Sequence, residues 1–307
     1  MSAVNPLAEP RWVPGMTREE LRDYGLYQVL RSLPIPAVSR IGAALSPILG
    51  RRAHPAAAAR AAAAMRLLRT DLAADPAALE AAQGRLWANM GRHYAEFCVL
   101  HKIVPAGRVS IDDPATFDAV LADGRPVIVP FVHTGNWETI GIQMADRAPG
   151  RVCAMAEPLP SNRVRAQIAA MQRGRQPGTM LTMDGSAWRR AVHHLQQPGR
   201  ILYLAIDEYA EGRVWAPFFG RALDVRGNLG KIVRIAAYTG AIILPLYSER
   251  LGGATFQTHV LPTLEFPQKR KIGRDEQLHY VGQLDALFEP AVLRLIEQWF
   301  AVVEYRP

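Results

Sequence analysis

At 307 residues, with 49% hydrophobic and 21% charged residues, the chain is globular in composition and long enough for a large core, which excludes a disordered tail or a disulfide-stapled miniprotein. The two cysteines, Cys98 and Cys153, lie in apolar surroundings without metal-ligand spacing and are expected to be buried thiols of a reduced compartment. The net charge of +8 is uneven: residues 1–70 carry ten arginines against four acids, pointing to nucleic acid or an anionic membrane surface as partner.

Residues 1–32 are polar and aromatic and predict a short arm. Leu33, Ile35, Val38, Ile41, Leu45, Ile48 and Leu49 then form an apolar series broken by Pro34, Pro36 and Pro47. It is too short and interrupted for a spanning helix. It suits a segment lying in a membrane interface, bordered by Arg40, Arg51 and Arg52, although an amphipathic core helix has the same pattern. That apolar series decides for a membrane surface over nucleic acid. The alanine-rich stretch 56–73, with Met65, Leu68 and Leu72 at helical spacing, predicts a helix ending near Asp75-Pro76. Leu86, Met90, Tyr94, Phe97 and Cys98 mark another, ended before Pro105.

From Phe117 the pattern alternates. Helices are expected at 117–121, 137–146, 162–172, 186–196 and 228–238, and strands at 126–132, 151–155, 201–206 and 241–247. Residues 254–261 alternate like an exposed strand, 269–274 read as a charged loop, and 278–287 and 290–299 close the chain as helices. This order predicts an α/β fold with a mixed, largely parallel sheet flanked by helices. Residues 1–52 are expected to form an N-terminal membrane-associating helical region and 53–307 the main domain. No segment has the organisation of a secretory signal, and no GxGxxG or Walker spacing supports a nucleotide cofactor.

The most informative segment is Val132-His133-Thr134-Gly135-Asn136-Trp137-Glu138, which follows the apolar run Val127-Ile128-Val129-Pro130-Phe131. In one regular helix, residues five apart point about 140° away from each other. His133 and Glu138 therefore work together only if the histidine ends a strand and the glutamate opens a helix, with Gly135 and Asn136 turning the chain between them. That arrangement puts an imidazole at the mouth of a sheet, with a carboxylate to hold one ring nitrogen, as a general base requires. A capped helix start with an incidental histidine shares the bare spacing. Asp207 and Glu208 follow the strand Ile201–Ile206 and emerge at a carboxyl edge, where sites of α/β proteins collect. Arg165 and Arg173 fall in the helix-forming interval after the strand 151–155, where a solvated helix face explains them equally well. Neither cysteine shares a motif with a histidine, which argues against covalent Cys–His catalysis.

His133-Thr134-Gly135-Asn136-Trp137-Glu138 resembles the H-x4-D/E signature of the bacterial lipid A biosynthesis acyltransferases, the late lauroyl and myristoyl transferases, whose relatives include phosphatidylinositol mannoside acyltransferases. Val214-Trp215-Ala216-Pro217-Phe218-Phe219-Gly220, Thr239-Gly240-Ala241-Ile242-Ile243-Leu244-Pro245 and Glu297-Gln298-Trp299-Phe300 resemble further stretches of that family, in order. The resemblance implies a glycerolipid-acyltransferase-like fold on the cytoplasmic face of a bacterial inner membrane. It implies transfer of a fatty acyl chain from an acyl carrier protein or coenzyme A thioester to a hydroxyl of a lipid A precursor or other glycolipid. His133, Glu138 and Asp207 would be catalytic, with Asp207 at the family's first acid after this strand and Tyr209 where a second acid is usual. Gly135, Asn136, Arg165 and Arg173 would contact substrate, the first two through an oxyanion and the arginines through phosphate. The thioester is a co-substrate, so no metal or cofactor is implied. A hydrolase using the same pair, or a non-catalytic lipid-binding protein, is the alternative.

Overall fold

A computed structural model describes residues 9–174, 178–266 and 270–306. Six helices precede the main βα alternation: α1 (Arg18–Ser32), α2 (Ile35–Ala53), α3 (Pro55–Leu68), α4 (Thr70–Ala74), α5 (Pro76–Phe97) and α6 (Leu100–Ile103). The expected arm thus contains a helix. Thr17 and Glu20 form a reciprocal capping box that starts α1, and Glu20 is also gripped by Arg163. Pro34 and Pro36 do not interrupt the next segment either, because they lie at the N-cap and first turn of α2, where no intrahelical N–H bond is lost. Ile35 and Val38 point inward, while Leu45, Ile48 and Leu49 are 50%, 55% and 57% exposed. Among the described residues no helix is long and apolar enough to cross a membrane.

The remaining elements are β1 (Val109–Ile111), α7 (Pro114–Ala122), β2 (Val127–Phe131), α8 (Glu138–Arg147), β3 (Val152–Ala156), α9 (Arg163–Gly174), β4 (Gly178–Thr182), α10 (Ala187–Leu195), β5 (Ile201–Ala205), β6 (Tyr209–Ala210), β7 (Arg213–Val214), α11 (Asn228–Thr239), β8 (Ile242–Ile243), β9 (Leu246–Gly252), β10 (Thr255–Val260) and α12 (Arg274–Arg294), with a 3-10 turn at Phe300–Val303. Seven strands run in the order β1-β10-β9-β2-β5-β3-β4, with β8 beside β2, and all pairs in that sheet are parallel except β9 with β10. The expected strand 241–247 is split: β8 pairs with Val127 and Ile128, the chain then passes Pro245, and β9 takes over beside Phe131. The two closing helices merge into α12, which runs through Pro290 at the loss of one backbone bond. Strands β1 and β4 and the β6–β7 hairpin were not legible in the sequence.

Side-chain alternation in β5 shows the layering. Leu202 and Leu204 join the core under α10, α11 and α12, whereas Ile201 and Tyr203 join the core under α7 and α8. A third core, with Tyr27, Leu30 and Val38, joins α1 and α2 to α9 and to the end of α5.

Helices α2 and α5 cross where both carry glycine. A Cβ added at Gly42 would lie 2.2 Å from the Gly91 carbonyl oxygen, so the backbones are in direct contact. Neither main chain can yield without opening the crossing. Gly42→Ala is expected to destabilise the fold by about 1–3 kcal/mol, the usual range for overpacking. Thermal unfolding reads this directly, and an unchanged melting temperature would show that the crossing is loose.

Candidate active site

The site is built by strand register. Strands β2 and β5 are adjacent and parallel, with Phe131 paired to Ala205, and the Ile206 N–H donates to the Phe131 carbonyl at 2.9 Å. Two residues further along each strand stand His133 and Asp207, so the pairing that aligns the strands also brings these side chains together. The His133 ring Nδ1 lies 2.7 Å from Asp207 Oδ1, and the His133 main-chain N–H donates to Asp207 Oδ2 at 2.8 Å. A third donor, the Trp299 indole Nε1–H, reaches Oδ2 at 2.8 Å. The Asp207 side chain is wholly buried, whereas that of His133 keeps 31% exposure, enough for a substrate to reach it.

Charge decides the state of the imidazole. Burial alone pushes the His133 pKa down, but the Asp207 charge and hydrogen bond, aided by the charges of Glu138 and Glu157, outweigh it and leave the pKa above the ordinary histidine value of 6.5. Glu138 stands at the first position of α8 and acts on the ring through its charge. The carboxylate on Nδ1 is that of Asp207 rather than Glu138. With Nδ1 held, Nε2 is the nitrogen available for proton transfer. Trp137 meets the His133 ring edge-on at 4.6 Å and stacks at 4.0 Å on His93, which burial holds neutral with a pKa lowered to about 3.

The turn between strand and helix is fixed from behind. Gly135 has φ of 59°, and a Cβ there would meet the Ser248 carbonyl oxygen at 2.6 Å. Thr134 Oγ1 donates to that carbonyl at 2.8 Å, and the Asn136 main-chain N–H donates to Ser248 Oγ at 3.2 Å. Asn136 is 1% exposed, and its Nδ2 reaches Glu96 Oε2 at 3.3 Å. The expectation that Asn136 offers its amides to an oxyanion is therefore corrected: both are turned inward, to Ser248 and Glu96. Glu96 itself is paired with Arg250 through bonds of 2.7 and 2.9 Å, with side-chain exposures of 0% and 4%. The Arg250 main chain exchanges two hydrogen bonds with the Gln298 amide, at 2.7 and 3.1 Å. The Phe300 N–H then donates to the His133 carbonyl at 2.9 Å.

Sequence reasoning missed the structural roles of Glu96, Arg250 and Trp299. A lone arginine inside the strand 246–252 was the available signal, because a charge in a buried strand demands a partner. Phe219 sits in a turn with φ of 50° and packs against Trp299 at 5.5 Å. Glu208 accepts from the Asn228 N–H at 2.6 Å, and burial raises its pKa to about 8, so it is mainly protonated at neutral pH. Arg165 is spoken for by Asp23 at 2.7 Å and Glu19 at 2.8 Å, binding α9 to α1. Arg173 lies within α9, and its side chain falls outside the described residues. Burial pushes the thiols of Cys98 up to about 12 and Cys153 up to about 11, so neither is a thiolate at neutral pH.

The balance at His133 has a signed consequence. In Asp207→Asn the largest raising influence is gone while burial remains, so the His133 ring is expected to titrate at lower pH than in the wild type. Imidazole NMR titration of both proteins measures this, and equal pKa values would mean that the Asp207 charge does not govern the ring.

No curated protein matches the chain. The family model described as bacterial lipid A biosynthesis acyltransferase matches residues 23–303, a span that contains His133, Asp207 and Trp299. The chain belongs to that family, and it is therefore an acyltransferase of lipid A or glycolipid biosynthesis, using an acyl donor and a lipid acceptor.

Proposed function

We propose that the protein is an O-acyltransferase in which His133 is the general base. The observation that carries this reading is the bond from Nδ1 to a buried carboxylate, which fixes the ring and directs Nε2 outward. In the forward step Nε2 takes the proton from an acceptor hydroxyl as its oxygen attacks the carbonyl carbon of an acyl thioester. The tetrahedral oxyanion develops at the start of α8, where the helix dipole is positive. The C–S bond then breaks, the carbonyl reforms, and the imidazolium returns its proton to the departing thiolate. Asp207 and Glu138 offset the ring's positive charge during the interval in which the proton rests on it. The donor is an acyl carrier protein or coenzyme A thioester, and the acceptor is a lipid A precursor or another glycolipid.

Because the His133 pKa is raised, the acidic limb of kcat/KM should lie above pH 6.5, with activity increasing as the ring deprotonates. His133→Ala is expected to lower turnover by about 10²–10⁴-fold with the fold intact. Glu138→Gln should lower kcat and move the acidic limb toward lower pH, since one raising charge is lost. Rates with a radiolabelled acyl donor and glycolipid acceptor, measured from pH 5 to 9, test all three. A near-normal rate in His133→Ala, or label appearing as free acid rather than lipid, would overturn the assignment.

We further propose that α1 and α2 rest on the cytoplasmic face of a bacterial inner membrane. Leu21, Leu26 and Val29 of α1 and Leu45, Ile48 and Leu49 of α2 are 45–57% exposed, and Arg40 and Arg52 are exposed beside them. Aliphatic side chains bordered by arginine suit an interfacial helix. Since α2 also buries Ile35 and Val38, substitution is a cleaner test than deletion. Leu45→Ser, Ile48→Ser and Leu49→Ser together are expected to reduce partition onto anionic vesicles by about tenfold or more, since each buried aliphatic chain contributes roughly 1.5–3 kcal/mol at most. High salt should weaken binding only in part, because apolar burial is not screened. Unchanged sedimentation with vesicles would remove α2 from the contact.

A further inference from the structure

Helix α5 presents one polar stripe to the back of the site. Arg85, Asn89 and His93 recur every four residues and Glu96 follows three later, so the four share a helix face. The Glu96 carboxylate holds Asn136 and Arg250, and the His93 ring stacks on Trp137 and meets Phe300 edge-on at 4.9 Å. Asn89 and Arg85 both reach Glu297, beyond the end of α12. Asn89 Nδ2 donates to the Glu297 carbonyl oxygen at 3.0 Å. The Arg85 guanidinium forks onto the Glu297 carboxylate, with Nη2 at 2.7 Å from Oε1 and Nε on Oε2. The mechanism given above assigns no part to either residue.

We propose that Asn89 and Arg85 are positioning residues for acyl transfer, acting through Glu297 on the two residues that complete the His133–Asp207 pair. This role rests on the general-base reading above. Helix α12 ends at Arg294, and the chain turns through Ile296 and Glu297 before the 3-10 turn begins at Phe300. Carbonyls past the last helical turn have no intrahelical donor, so such a segment takes its direction from outside bonds. Asn89 supplies one to Glu297. Two residues on, the Trp299 indole reaches Asp207 Oδ2 at 2.8 Å, and three residues on, the Phe300 N–H reaches the His133 carbonyl at 2.9 Å. A shift of the turn by about 1 Å would carry both beyond hydrogen-bonding distance. The Gln298 amide meets Arg250 from the sheet side, while Arg69 and Arg60 hold the segment further out, at the Leu293 and Val303 carbonyls. The grip nearest Trp299 on the helical side is therefore that of α5. Of its two contacts, the half-buried Asn89 bond carries the larger share, because an exposed ion pair contributes little and is screened by salt.

The test uses the full chain with Asn89→Leu, a side chain of similar size that suits the helix and cannot donate. Turnover is measured with a radiolabelled lauroyl thioester and a lipid A precursor. The tryptophan indole N–H signals are recorded by NMR, with Trp299→Phe identifying that of Trp299. In Asn89→Leu, kcat is expected to fall about tenfold or more, as misplacement of a reacting group does, with KM for both substrates within about twofold of the wild type. The Trp299 signal should move toward that of an unbonded indole, while that of Trp188 on α10 stays in place. Arg85→Gln alters a side chain that is 56% exposed, so the fold tolerates it. Its expected fall in kcat is about two- to fivefold, the worth of an exposed ion pair. Should Asn89→Leu fail to fold, Arg85→Gln decides by the same readouts. An unmoved Trp299 signal would overturn the proposal, as would a KM that rises while kcat holds. So would a lower melting temperature with kcat unchanged, which would make the contacts stabilising only. If the Trp299 signal moves in the variant but the wild type transfers no acyl group, the positioning of Asp207 stands and the general-base reading fails instead.

Discussion

A buried carboxylate is the constraint around which this molecule is arranged. Removing a charge from water costs several kcal/mol unless donors replace the lost hydration. Asp207 gains three, from the His133 ring, the His133 main chain and the Trp299 indole. These come from separate parts of the chain, so the carboxylate is satisfied only when the exits of β2 and β5 and the segment after α12 are all in place. The same bonds that stabilise Asp207 hold the imidazole in one orientation, which makes stability and chemical competence a single requirement. Breaking any of them leaves an under-satisfied buried charge, a more severe defect than the loss of an ordinary surface bond.

A second buried charge pair backs the first. Glu96 and Arg250 join α5 to β9, and through Asn136 and Gln298 they hold the turn before α8 and the approach to Trp299. An apolar pair of similar volume there would cost little in stability by general experience with buried ion pairs. It would lose the three side-chain bonds that relate turn, helix and strand, keeping only the main-chain bonds of residue 250 to Gln298. The pair is best understood as fixing register among elements that packing alone leaves free to slide.

The fold was largely legible in the sequence because buried parallel strands are continuous apolar runs and their crossover helices repeat at helical spacing. Val127–Phe131 and Ile201–Ala205 are wholly or almost wholly buried, and both stood out for that reason. The edge strand β4 did not, since most of its residues are exposed and carry no alternation. Helix α1 was hidden because its stability comes from a capping box and an ion pair with α9 rather than from an apolar stripe. Within the site, the sequence singled out His133, Glu138 and Asp207, but that Asp207, 74 positions away, is the residue on Nδ1 follows only from the pairing of β2 with β5. Asn136 was misread for a related reason. A polar residue in a turn looks available to substrate until the fold places Glu96 behind it.

The closing contacts also bear on when the site comes into being. Trp299 reaches a residue 92 positions earlier, and Phe300 meets the still more distant His133. A polypeptide emerging from the ribosome passes both sheet-borne partners long before the segment that completes their bonding. Until that segment arrives, Asp207 lacks its indole donor and the His133 carbonyl lacks its amide. Those bonds thus form only after the sheet-borne partners have been made. A chain that has reached β9 but not Trp299 can therefore hold the paired strands without yet having the bonds that lock the imidazole.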